Sequence, residues 1–362
     1  MKRYTAGRVF VGDGRVLTPG GVLVEGGVIT GLDERPSRVD FPGATLHPGF
    51  IDAHVHLGFD GGGDPVATLR AASDAELLES MRQAAKALLS AGVTTARDLG
   101  SRGFLDIALR ESLDAPRLLL ATRPLTPPGG HCWYLGGEGR GAGELRKLVR
   151  ENQEAGADWI KVMVTGGHTT EGSRAWRTQF DRAELAAAVD EAHALGLPVA
   201  AHAHGTGGIA LAVDCGVDTL EHCTWQTEDG SGGYSPRIAD AIAAAGIPVC
   251  ATFNPQLAAI PAFAGPRRRV IADMRARGVR FIAGTDAGVV GTPHAGFGDG
   301  LKAMAGYGFT PGEVLRSATI DSAKALGIDG RTGSLLPGKD ADLVISSGGR
   351  PLLVVARGRE IR

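Results

Sequence analysis

DWIKVMVTG (158–166), RAELAAAVDEAHALG (182–196) and PVAAHAHG (198–205) decide the fold. The outer two are short runs rich in apolar residues, and the middle one carries alanine and leucine at helical spacing and closes on a glycine. The stretch therefore reads strand, helix, strand. Similar strand-like runs recur at GFIDAHVHL (49–57), TTARDLG (94–100), RLLLATR (117–123), TLEHCTW (219–225), IPVCATFN (247–254) and RFIAGTDAG (280–288), with helical segments at 75–92, 143–156, 237–246 and 268–278. Eight strand runs alternating with helices predict an α/β protein on a closed parallel (β/α)8 TIM-type barrel over residues 49–328. Six would have left an open, doubly wound sheet in contention.

The two ends of the chain have another texture. RVFVGDGRVL (8–17), GVLVEGGVITGL (21–32) and GATLHPGF (43–50) alternate and break at glycines, as hairpins do, and the tail from 333 to 361 returns to the same pattern. Neither end has enough strands to bury a core alone. Residues 1–48 and 329–362 are therefore expected to complete one small composite β-sandwich beside the barrel.

Composition narrows the function. With 43% apolar and 22% charged residues in 362, the chain is globular in type, and 38 basic against 40 acidic residues leave a formal charge of −2. That balance creates no field to gather nucleic acid or anionic lipid. No apolar run reaches the roughly 20 residues of a membrane span, and MKRYTAGRVFVGDGRV (1–16) lacks the apolar core of a signal peptide. A cytoplasmic protein without a membrane partner is expected. Cys132, Cys215, Cys223 and Cys250 are too few and too scattered for a disulfide framework, and none forms a CxxC pair. A homo-oligomer is expected only on the general prevalence of symmetric dimers.

A parallel barrel strand is buried on both sides and should be aliphatic, so its polar residues carry the information. The exceptions are His54 and His56 in the first strand, Lys161 in the fourth, His202 and His204 in the fifth, His222 in the sixth and Asp286 in the eighth. All lie near the C-terminal ends of their strands, where barrel enzymes place their chemistry. His54 and His56 stand two apart and so point to one side, able to grip one ion together. A cluster of histidines with a carboxylate suits zinc and its neighbours. Lys161, one of seven lysines, sits inside WIKVMV, where an ammonium must lose its proton or find a strong partner. A neutral amine there can add carbon dioxide, becoming a carbamate able to bridge two divalent ions.

The ordered set HPGFIDAHVHL (47–57), IKVMVTGG (160–167), VAAHAHG (199–205), TLEH (219–222), AGTDAG (283–288), TPGEVLRSATIDSAKALG (310–327) and GSLLPGKDADLVI (333–345) resembles the amidohydrolase superfamily. The similarity is to its imidazolonepropionase-like and prolidase-like branch and covers essentially the whole chain. It implies a binuclear metal-dependent hydrolase. His54, His56 and Asp286 would bind one divalent ion and His202 and His222 the other, with carboxylated Lys161 as the bridge. The ions would be zinc, with manganese, cobalt or iron compatible. A hydroxide shared by the metals would attack an amide of a small molecule such as a dipeptide or N-acyl amino acid, with Asp286 as general base and acid. His131, in PPGGHCWYLGGE (127–138), matches the branch's GGH motif for an electrophilic donor.

His204 faces the same side as His202 but farther out, and is read as a support or a substrate contact. His168, Arg174, Arg177 and His294 lie in loops that vary with substrate in this branch and, with Tyr134 after the third strand, are candidate substrate contacts. Trp133 and Trp176 join them as possible pocket walls. A mononuclear deaminase of the same superfamily is the close rival. It would place a glutamate shortly after the fifth-strand histidine, where this chain has HAHGTGG, and would not need Lys161. A cyclic amide or lactone hydrolase is a further alternative, and a non-catalytic binding protein a remote one, since such proteins usually lose ligands.

Overall fold

The computed structural model describes residues 1–230 and 232–361. Ser231, within the expected barrel, and Arg362, at the end of the expected appendage, lie outside the described residues.

All eight expected strand runs form strands: Phe50–Val55, Val93–Asp98, Arg117–Leu120, Ile160–Met163, Val199–Gly205, Thr219–Gln226, Val249–Cys250 and Phe281–Ile282. The first three pair in parallel as one ladder, and the last five as another. At one seam Ala53 N donates to Ala283 O (3.0 Å), Asp286 N to His54 O (2.8 Å) and His56 N to Ala287 O (2.8 Å); at the other, Leu125 N donates to Lys161 O (2.8 Å). The two ladders are thus joined at both seams, by parallel bridges Val55–Ala287 and Leu125–Val162.

Local chemistry sets the helices. Helix Asp74–Ser90 starts at Ser73, whose hydroxyl accepts from Glu76 N while Glu76 reaches back, and helix Arg182–Ala194 repeats the device with Asp181 and Glu184. Such caps each contribute about 1 kcal/mol. Leu77, Met81, Ala84, Ala85 and Leu88 form the buried stripe of the first helix at helical spacing. Among the described residues no helix is long and apolar enough to cross a membrane.

The strands of the expected composite β-sandwich are hydrogen-bonded along one path as an eight-stranded sheet. Its path runs Arg359–Ile361, Arg350–Ala356, Leu343–Ser347, Phe41–Pro48, Lys2–Phe10, Gly20–Glu25 and Val28–Asp33, with Val16–Leu17 beside Lys2–Phe10. Phe41–Pro48 therefore lies between strands from opposite ends of the chain, parallel to Lys2–Phe10 and antiparallel to Leu343–Ser347. Val9, Val22, Ile29, Leu46, Leu343, Ile345 and Val355 share one core against this sheet. Arg117, in strand Arg117–Leu120, ties the tail down through Asp340 (2.6 Å) and Asp342 (3.3 Å).

Candidate functional site

The polar residues of the strand ends converge. His222 and Asp286 take left-handed φ values of 69° and 61°, and Thr252, closing the seventh strand, takes 45°. Non-glycine residues in this region cost roughly 1 kcal/mol or more each, and such strain collects at functional sites.

His54, His56 and Asp286 form one group. Asp286 Oδ1 lies 3.2 Å from both His54 Nε2 and His56 Nε2, and the two ring nitrogens are 3.3 Å apart. The proton positions follow from the outer partners. His54 Nδ1 meets Glu221 Oε2 at 2.8 Å and His56 Nδ1 meets the Gly100 carbonyl at 3.4 Å. A carboxylate and a carbonyl can only accept, so each Nδ1 carries the hydrogen and each Nε2 keeps a lone pair for a cation. Asp98 holds the loop behind His56, accepting from the Gly100 and Leu57 N–H groups.

Glu221 is held in turn. Arg97 Nη2 donates to its Oε1 at 2.8 Å, Thr219 Oγ1 donates to the same oxygen at 2.6 Å, and Arg97 stacks over Trp159. Burial alone would raise the Glu221 pKa, yet the Arg97 charge and the His54 bond hold it well below the usual carboxylate range. Sequence reading missed Glu221 and Arg97. The available signal was a glutamate and an arginine inside strands that should be aliphatic. Cys250 also lies near His54 and Glu221, but burial pushes its thiol pKa well up, which keeps it protonated.

His202, His204 and His222 form a second group, with candidate ligand atoms within 4.8 Å of one another. His202 Nε2 donates to the Gly166 carbonyl at 3.0 Å, which leaves Nδ1 free. His222 Nδ1 meets Thr252 Oγ1 at 2.9 Å, and His204 Nδ1 meets Thr224 Oγ1 at 2.8 Å. The rings of His204 and His222 stack at 4.5 Å, so His204 stands closer to the group than its position along the strand suggests. Burial lowers the pKa of all three, so they are neutral imidazoles, the form that binds metals.

Lys161 lines the same cavity as members of both groups. Its side chain is fully buried, and among the described residues its Nζ has no hydrogen-bond partner. Burial lowers its pKa, and its charge bears on His56, His202, His222 and Asp286 alike. An ammonium without an acceptor is costly in such a place. An orphaned amine in a cavity shared with two sets of cation-seeking lone pairs fits a carboxylated lysine facing two divalent ions.

These residues open on a cavity of about 1040 Å³. His131, Trp133, Tyr134, His168 and His204 line it. The His131 ring sits 4.6 Å from that of His202, its Nδ1 meets Thr170 Oγ1 at 3.2 Å, and burial pushes its pKa down to about 3. Tyr134 and Phe59 form an aromatic wall beside His56. The other loop candidates fall elsewhere. Arg174 and Arg177 are exposed and, with Trp176, do not line the cavity. Both arginines belong to a segment that turns back toward strand four, with Gly166 N donating to Arg177 O. His294 is buried behind the first strand, where its Nε2 donates to the His56 carbonyl at 3.1 Å, so it supports a ligand's backbone and does not face the cavity.

The chain is similar to known proteins. A sequence model of the amidohydrolase family matches residues 45–361. An imidazolonepropionase of Mesorhizobium japonicum is 27% identical, over 99% of this chain and 92% of that protein. An uncharacterized protein of Mycobacterium tuberculosis is 29% identical over 90% and 83%. Among solved structures, a Xaa-Pro dipeptidase with bound methionine superposes with a TM-score of 0.85 at 25% identity, covering 99% of each chain. A prolidase complexed with N-methylphosphonate-L-proline gives 0.84 at 25% identity over 100% of each.

Proposed function

Because the chain belongs to the amidohydrolase family, and is on that ground a metal-dependent hydrolase of carbon–nitrogen bonds, we propose that it cleaves the amide of a dipeptide or N-acyl amino acid. The observation that carries this reading is the orphaned Lys161 Nζ in a cavity shared with two groups of candidate histidine ligands. His54, His56 and Asp286 would hold one divalent ion, His202 and His222 the other, and carboxylated Lys161 both. Zinc suits these donors, and manganese, cobalt or iron is compatible. Bound there, the ions acidify water and polarise a carbonyl.

The chain's own groups do the rest. Asp286 takes the proton of the attacking water and passes it to the leaving nitrogen, so that one water is consumed and an acid and an amine are released. Neutral His131 donates to the carbonyl oxygen as charge gathers on it. Tyr134, His168 and His204 contact the substrate from the cavity wall. The deaminase reading leaves Lys161 without a task, which disfavours it. In fold terms we assign a closed (β/α)8 barrel over 49–328 and a composite β-sandwich from 1–48 and 329–362, supported by the seam hydrogen bonds and the continuous sheet path. A cytoplasmic location suits the four free cysteines.

Amine release from a panel of dipeptides, N-acyl amino acids and simple lactams, using zinc- or manganese-loaded protein and Asp286→Ala as the blank, tests the reading. Cleavage of a subset with a dead blank is expected. No release from protein that holds both ions would overturn the amide assignment.

A further inference from the structure

The residues above account for bond breaking but not for how the substrate's far end is held. Helix Pro261–Ala276 follows the seventh strand, and its Arg267 reaches back across the rim. Arg267 Nη2 donates to the carbonyls of His222 (3.2 Å) and Ala251 (2.5 Å). The guanidinium thus lies against the backbone of a proposed ligand and lines the same cavity as Lys161, His202 and Asp286.

Among the described residues Arg267 forms no ion pair, and its Nε and Nη1 donate to no protein acceptor. Its neighbours are Phe263, with the guanidinium 6.0 Å from the ring centroid, and Tyr307. Burial penalises its charge. Arg267 is half-buried, a guanidinium held partly out of water gains from an anion that meets it, and its free N–H groups suit a carboxylate. The cavity's other arginine, Arg70, is exposed at the mouth, stacked 5.4 Å from the Trp133 ring centroid. Asp64 caps a helix and, like Glu171, is exposed to solvent there.

The two walls differ. Phe59 and Tyr134 make the side next to His56 apolar, while the side next to His222 carries the unanswered cation. In an N-acyl amino acid the α-carboxylate is two bonds from the leaving nitrogen, so it stays close to the reacting centre. We propose that Arg267 receives the free α-carboxylate of the leaving amino acid, and that the acyl portion lies against the aromatic wall. The assignment deepens the amide reading and rests on it for the identity of the leaving group.

The test is calorimetric titration of metal-loaded protein with N-methanesulfonyl-L-leucine, an uncleavable acyl-amino-acid analogue, and with its carboxamide. The wild-type protein should bind the acid on the order of 30-fold more tightly, the span of a charge-assisted hydrogen bond. Arg267→Met should bring the two ligands near parity, Arg267→Lys should keep part of the preference, and Arg70→Met all of it. Equal weakening of both ligands in Arg267→Met would show that the side chain only braces the backbone at His222 and Ala251, and would overturn the proposal. Absence of an acid preference in the wild type would do the same. Carboxylate-dependent binding without amine release from any amide would sink the amide reading and leave the role of Arg267 standing.

Discussion

An ammonium on Lys161 would sit fully buried, with no acceptor, among imidazoles that must stay neutral to bind a cation. The residue is therefore expected to decide whether the site loads. Protein prepared with bicarbonate should hold about two divalent ions per chain by elemental analysis, and Lys161→Ala should lose both; an active Lys161→Ala protein retaining one ion would refute the bridge. Glu221 acts one bond further out, fixing the hydrogen on His54 Nδ1. Glu221→Gln should weaken metal binding about 10- to 100-fold in a chelator competition. It should also lower stability by roughly 3 kcal/mol, because Arg97 is left buried without its partner charge. The metal-seeking side chains were legible in the sequence because imidazole and carboxylate are conspicuous in aliphatic strands. Glu221 was equally conspicuous in TLEH, but its meaning depends on Arg97, 124 residues away, and on which face of the strand each occupies.

The strands themselves decide how closely these side chains can approach. Gly284 closes the eighth strand so near the first that an added Cβ would stand 2.4 Å from Cys250 Sγ and 3.0 Å from His54 Cβ. Gly284→Ala should cost about 1–3 kcal/mol by overpacking and weaken metal binding, as read by thermal melts and chelator competition. Cys250→Ala should recover part of the stability, since the sulfur contact is the shorter one. Gly167 leaves the same kind of room for the His131 ring, 2.3 Å from where a Cβ would be. Element order was readable because strand and helix periods alternate cleanly, but several helices were not. Thr206–Asp214 begins TGG, a poor helical start by propensity, and tertiary packing of Ile209 and Ala212 overrides it. Helix Pro261–Ala276 contains Pro266, which hid its first two turns and with them the placement of Arg267.

Across the molecule, the sheet built from both chain ends responds to acid separately from the metal site. His47 is buried, with Nδ1–H donating to the Pro48 carbonyl and Nε2 accepting from the Ser346 hydroxyl, and burial pushes its pKa down to about 4. Above the unfolded value near 6.5 both states are neutral and stability is whole; as pH falls toward 4 the unfolded chain takes a proton that the folded one refuses. That should cost on the order of 3 kcal/mol over the interval. Denaturant melts between pH 7 and pH 4 should show a shallower loss in His47→Gln, and an identical slope would refute the assignment. Arg117→Met should destabilise by roughly 2–4 kcal/mol, because buried Asp342 would lose its cation. That the two ends meet was legible from their shared hairpin texture, whereas their union in one sheet was not, since strand partners separated by some 300 residues leave no local signal.

Phe41–Pro48 is an early segment with a late partner, Leu343–Ser347. As the chain leaves the ribosome, every strand from Phe50–Val55 to Phe281–Ile282 emerges before that partner does. Throughout this interval the C-terminal-facing edge of Phe41–Pro48 stays unpaired, a template for another chain's strand. Pairing of that edge is thus timed by Leu343–Ser347, and the interval before this strand arrives is when a nascent copy is most exposed to aggregation.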